Sequence, residues 1–179
     1  ILLFIILFFP FIMFSQGWSQ LGNDIDGEAI YDQSGCSVSF SSNGNTLAVG
    51  AIGNNGNGSN TGHVRIFSFN GSFWDQLGDD INGEASNDYS GGSVSLSSDG
   101  SIVAIGASEN DGSGSNSGHV RIYEFNGISW SQIGQEIDGE ASDDKSGCSI
   151  SLSSTGSVVA IGAYGNNANG VYSGNVRVY

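Results

Sequence analysis

Residues Ser90–Ala107 read Ser-Gly-Gly-Ser-Val-Ser-Leu-Ser-Ser-Asp-Gly-Ser-Ile-Val-Ala-Ile-Gly-Ala, and close copies stand at Ser34–Ala51 and Ser146–Ala163. The offset is 56 residues each time. Trp18, Trp74 and Trp130 keep that spacing, as do Gly50, Gly106 and Gly162, and Arg65, Arg121 and Arg177. A period of this length marks stacked supersecondary units, each of which buries its apolar face against its neighbours. A residue present in every copy is therefore expected to build the unit, since an active site needs to be made only once.

Within the period, four strand-like runs recur. Ser37–Ser41, Ser93–Ser97 and Ser149–Ser153 alternate polar and apolar residues, which gives a strand one buried face. A tight hairpin follows at Asn43-Gly44, Asp99-Gly100 and Thr155-Gly156, where positive φ angles are required. The second runs, Thr46–Ala51, Ile102–Ala107 and Val158–Ala163, are nearly continuous in apolar residues and should be covered on both faces. Their closing Gly-Ala pair suits close packing at a crowded axis. A polar Asn/Gly/Ser stretch (52–61, 108–117, 164–173) reads as a surface loop with little intrinsic order. The third runs are His63–Phe69, His119–Phe125 and Asn175–Tyr179, and the fourth are Trp18–Leu21, Trp74–Leu77 and Trp130–Ile133. Four antiparallel strands with internal hairpins and a long connector describe a β-propeller blade, so the class is all-β. The chain then holds a fourth strand (18–21), blades at 36–81 and 92–137, and an incomplete blade at 148–179. Closed propellers have about four to eight blades, so an open fragment of a longer array is expected.

Composition narrows the function classes. Eighteen acidic residues stand against four basic ones, for a net charge of −14. Such a surface repels phosphates and anionic membranes, which argues against nucleic-acid binding. Cys36 and Cys148 occupy the same position in units one and three and are expected to be small buried fillers, not a bridge. Ile1–Phe14 is wholly apolar, short for a membrane span, and followed by Ser15-Gln16-Gly17. Residues 1–17 therefore read as a signal peptide without its basic leader. The expectation is a secreted or cell-surface protein whose mature chain does not insert in the membrane.

The run Ser-Gly-x-Ser-Val-Ser-Leu-Ser-Ser-Asp-Gly-x-x-Val-Ala-Ile-Gly-Ala, with Gly-His-Val-Arg-Ile-Tyr after it, resembles the FG-GAP repeat over essentially all of 18–179. That resemblance implies the β-propeller of integrin α subunits and of many bacterial surface proteins. The family's aspartate-rich calcium loop between the first two strands is cut down here to Ser42-Asn43-Gly44, Ser98-Asp99-Gly100 and Ser154-Thr155-Gly156. Its calcium site is therefore not carried over, because calcium needs six to eight oxygens.

The connectors carry the acidic groups: Asp26, Glu28 and Asp32, then Glu84 and Asp88, then Asp138, Glu140 and Asp144. These are candidate Ca2+ ligands, although the regular Asp two residues before each Ser-Gly is what turn capping would produce. Capping is the favoured reading, so no cofactor is expected. Each Arg is expected to pair with a connector carboxylate, and each Trp to pack one unit on the next. His63 and His119 lack a third copy and look isolated. No catalytic signature stands out. The expected function is a non-catalytic adhesion or recognition module. Its partners would be an extracellular protein or glycan and the remaining blades. The alternatives are an accessory domain of a secreted, for example polysaccharide-degrading, enzyme, or a structural spacer.

Overall fold

A computed structural model describes residues 17–179. The proposed export segment lies almost wholly outside the described residues. Thirteen strands form three antiparallel sheets, and no helix occurs among the described residues. The first sheet holds β1 (Ser34–Phe40), β2 (Thr46–Ala51), β3 (His63–Phe69), β4 (Trp74–Gln76) and β5 (Ile81–Asn82). The second holds β6 (Ser93–Leu96), β7 (Ile102–Ala107), β8 (His119–Phe125), β9 (Trp130–Gln132) and β10 (Ile137–Asp138). The third holds β11 (Ser146–Leu152), β12 (Val159–Ala163) and β13 (Asn175–Val178). The first sheet runs in the order β1-β2-β3-β4, with β5 also on β3, and the second repeats this plan.

The sheets stack through their apolar faces. Ala48, Val64 and Ile66 of the first sheet meet Val94, Leu96, Val103 and Ile105 of the second. Ala104 and Val120 of the second meet Val159 and Ile161 of the third. Each valine, leucine or isoleucine among them contributes about 1.5–3 kcal/mol when fully buried. Equivalent residues differ only by what covers them. Val94 and Leu96 are buried, whereas Val38 and Phe40 in the first sheet are exposed, as are Val176 and Val178 in the last.

The hairpin turns are ordered by their own side chains. Asn43 Oδ1 accepts from Ser41 Oγ (2.8 Å) and Asn45 N (2.9 Å), and Asp99 does the same with Ser97 and Ser101. Only the glycine takes a positive φ, 71° at Gly44 and 76° at Gly100. Polar side chains on the first strands do more than face solvent. Ser37 Oγ donates to Gly91 O (2.7 Å), and Ser39 Oγ accepts from Leu96 N (3.0 Å). Ser93 and Ser95 repeat both bonds to the third sheet.

Four expectations are corrected. Trp18–Leu21 forms no strand, and Trp18 is 98% exposed, because no described segment offers it a third-strand partner. The connector is more than a link: the fourth strand stands where expected, but past Gly78 (φ +75°), which meets the Trp130 ring, the connector itself returns to β3 as the short strand β5. Cys36 is exposed and Cys148 half-buried, both as free thiols. The register shift between Ser34 and Ser37 puts this position in a bulge, and Gly92 in the middle unit is exposed too. Finally, the polar stretches are pinned rather than loose. Loop and connector are joined by four backbone bonds per seam: Gly83 N to Gly62 O, Asn87 N to Ser59 O, Tyr89 N to Asn60 O and Ser90 N to Thr61 O in the first, with the same set one period on. Asn54, Asn110 and Asn166 are buried within them. No described helix is long and apolar enough to cross a membrane.

Candidate functional site

The third strand places two polar side chains on one face, because His63 and Arg65 are two residues apart, as are His119 and Arg121. The connector before each unit supplies the partners of the arginine. Arg121 Nη1 lies 3.2 Å from Glu84 Oε1, and Nη2 donates to Asn82 O at 2.9 Å. Arg65 repeats this with Glu28 (3.6 Å) and Asp26 O (2.6 Å), and Arg177 with Glu140 (3.9 Å) and Asp138 O (2.5 Å). Each guanidinium also lies over an aromatic ring two residues on: Phe67, Tyr123 or Tyr179. The expected Arg–carboxylate pairs are thus present in all three units. Asp26 and Asp138 serve the arginines through their carbonyls, not their carboxylates.

Arg121→Lys is expected to lower stability by about 1–2 kcal/mol, because an ammonium cannot hold Glu84, the Asn82 carbonyl and the Tyr123 ring together. Urea unfolding of the variant against the parent checks this.

The second oxygen of Glu28 and of Glu84 faces a histidine. His63 Nδ1 is 4.0 Å from Glu28 Oε2 and 3.5 Å from Asp80 Oδ2. His119 Nδ1 is 3.9 Å from Glu84 Oε2 and 3.5 Å from Glu136 Oε2. Asp80 and Glu136 arrive here because β5 and β10 fold back onto the start of the third strands, pairing His63 with Asn82 and His119 with Asp138. Among the described residues these two trios are the groups of three or more metal-capable side chains that converge. The histidines are buried. Burial pushes His119 down to about 4, helped by Arg121 and opposed by Glu84. His63 is also lowered, chiefly by burial, against the pull of Asp80 and Glu28. Both imidazoles are therefore neutral near pH 7. Glu136 is held above the usual carboxylate range by partial desolvation and by the Glu84 and Asp138 charges. Chemically, the arrangement can hold a proton or a cation between a neutral imidazole and two carboxylates. In the third unit Asn175 replaces the histidine and donates from Nδ2 to Glu140 Oε2 at 3.4 Å.

Beside the second trio lies an open cleft of about 500 Å3, lined by Glu84, Gln132, Gly134, Gln135, Glu136 and Asp138. Asp138 Oδ1 is buried without a hydrogen-bond partner.

The remaining connector candidates are structural. Asp32, Asp88 and Asp144 are buried, and each Oδ2 accepts the amide three residues back, from Ala29 (2.9 Å), Ala85 (3.1 Å) and Ala141 (3.1 Å). Each also accepts from a loop amide, Asn54, Asn110 or Asn166. Trp74 Nε1 donates to Leu21 O (2.9 Å) and Trp130 Nε1 to Leu77 O (2.7 Å), so these two rings pack on the preceding segment. Lys145, the one basic residue outside the repeat, pairs with Glu109. The sequence reading missed the histidine trios. The available signal was that Asp80 and Glu136 also keep the 56-residue spacing.

No family model matches the chain, and no curated protein matches it. Among solved structures, the hydrazine synthase of Kuenenia stuttgartiensis is similar over 90% of this chain, with 15% identity and a TM-score of 0.48. The chain spans 36% of that protein chain's length.

Proposed function

We propose that this chain is part of an exported, non-catalytic β-propeller of the FG-GAP type that acts as an adhesion or ligand-recognition module at the cell exterior. One observation carries the reading. Most of the polar groups that recur in every unit are spent on joining one unit to its neighbour, which leaves exposed loop tips as the variable surface. Arg65, Arg121 and Arg177 hold connectors, and Asp32, Asp88 and Asp144 cap turns and anchor loops. The tips, such as Asn55–Asn57 and Asp111–Ser113, differ between units and remain accessible.

The propeller arrangement is supported by the close approach at the Gly-Ala pairs. A Cβ on Gly50 would stand 2.1 Å from Gly91 O, and one on Gly106 would stand 2.2 Å from Gly147 O. Units that touch this closely at the second strand, while loops and connectors join along another edge, suit a radial stack. The open faces at Val38 and Phe40 and at Val176 and Val178 suit further units as partners.

The test is binding of the purified chain to arrays of extracellular glycans and proteins. Saturable binding that is lost when 55–57 and 111–113 are replaced by Gly-Ser is the expected result. Absence of binding, or binding indifferent to those loops, would overturn the reading.

A further inference from the structure

We propose that each histidine trio is a site for a divalent transition-metal ion of the Zn2+ class. Glu28, His63 and Asp80 would hold one ion, and Glu84, His119 and Glu136 a second. Tetrahedral ligation at ~2.0–2.2 Å places ligand atoms about 3.3–3.6 Å from one another. The Nδ1-to-oxygen separations of 3.5 to 4.0 Å are close to that, without being hydrogen bonds.

A second observation points to a ligand independently. His63 Nδ1 is buried, aimed at two carboxylates, and has no hydrogen-bond partner. A buried polar atom without a partner costs about 1–3 kcal/mol, and a metal ion removes that cost. The neighbouring groups also suit an ion. Glu28 and Glu84 each give one oxygen to an arginine, which fixes the other toward the site. The guanidinium charge opposes a cation, but two carboxylates outweigh it. Beside the second trio, Asp138 in the wall of the open cleft adds negative charge. That cleft leaves room for water to complete the coordination.

The imidazole selects the class of ion. Calcium and magnesium prefer all-oxygen shells of six or more ligands, whereas nitrogen with carboxylates suits Zn2+, Co2+ or Ni2+. Each ion would tie the connector entering a unit to the connector leaving it, across the start of the third strand. The third unit is a built-in negative: its Asn175 meets Glu140 by a hydrogen bond in place of the histidine.

The experiment is calorimetric titration of the whole chain with ZnCl2, with Co2+ absorption spectra to report the geometry. Two ions per chain are expected, with the visible bands of tetrahedral Co2+. His119→Asn should leave one, and His63→Asn with His119→Asn should leave none. Asparagine is the chosen replacement because the third unit already carries it at this position. Circular dichroism confirms that the variants remain folded. Glu136→Gln, which keeps the side-chain shape, should weaken the second site at least tenfold and leave the first unchanged, so the proposal stays exposed even if an asparagine variant unfolds. Stoichiometry unaffected by these substitutions, no Zn2+ binding by the parent chain, or displacement of Zn2+ by equimolar Ca2+ would overturn it.

Discussion

Gly106→Ala is expected to destabilise the chain by about 3 kcal/mol, the upper part of the range for overpacking a tight interior. The cause is a backbone collision. The new Cβ would lie 2.2 Å from Gly147 O and 2.5 Å from Ser93 Oγ. Ser93 cannot simply rotate away, because its hydroxyl donates to Gly147 O at 2.6 Å. The second and third sheets must therefore move apart, and with them the buried contacts of Ala104 and Val120 with Val159 and Ile161. Gly162 supplies the control. It is the same residue at the same repeat position, but its Cβ would meet the Ser149 side chain as its nearest neighbour and no backbone of another sheet closely. Gly162→Ala should cost about 1 kcal/mol or less. Urea midpoints of the two variants measure the difference. Equal losses would mean that the contact between sheets is not what requires glycine.

Asp88→Ala should cost a similar amount, about 3 kcal/mol, by a different route. Asp88 is buried and holds both the Ala85 amide and the Asn110 side chain, at 3.1 and 3.0 Å. Truncation orphans two donors in a place water does not reach, each worth about 1–3 kcal/mol. For a chain of this size the melting temperature should fall by roughly 6–12 °C. Asp88→Asn keeps an acceptor and should lose less than half as much. A thermal melt that left the alanine variant within 2 °C of the parent, on the order of 1 kcal/mol or less, would show that the connector is not anchored through this carboxylate.

Much of the secondary structure was legible because it depends on pattern within a strand. Thr46–Ala51, Ile102–Ala107, His63–Phe69 and His119–Phe125 follow from apolar runs bounded by turn residues, and the structure places them at those limits. What depended on a distant partner was not legible. β5 and β10 are two residues long, and they are strands because His63 and His119 pair with them, not through any propensity of Ile-Asn or Ile-Asp. Trp18 keeps the spacing of Trp74 and Trp130, yet it is exposed, since periodicity records the intended position and not the presence of a neighbour. The Asn/Gly/Ser stretches looked unstructured because composition does not show which amides a connector will capture.

The candidate site divides along the same line. The arginine pairs could be read from scarcity, three of four cations among many acids, at a fixed phase. The Asp32, Asp88 and Asp144 caps could be read from their fixed distance to Ser-Gly. The histidine trios could not, because each gathers one residue from the connector before a unit, one from its third strand and one from the connector after it. Only the fold-back of β5 and β10 brings the third member into reach.

The central claim is that the repeating polar residues lock neighbouring units into one body. Amide hydrogen exchange at the seams tests it most directly. Gly83, Ser90, Gly139 and Ser146 donate their amides to the preceding loop at 2.7–2.9 Å. The account predicts that these four amides are protected to the same degree as those of β3 and β8 and exchange with them, by opening of the whole stack. Rapid exchange at the four positions with β3 and β8 still protected would contradict it, and would leave three sheets joined only by flexible connectors.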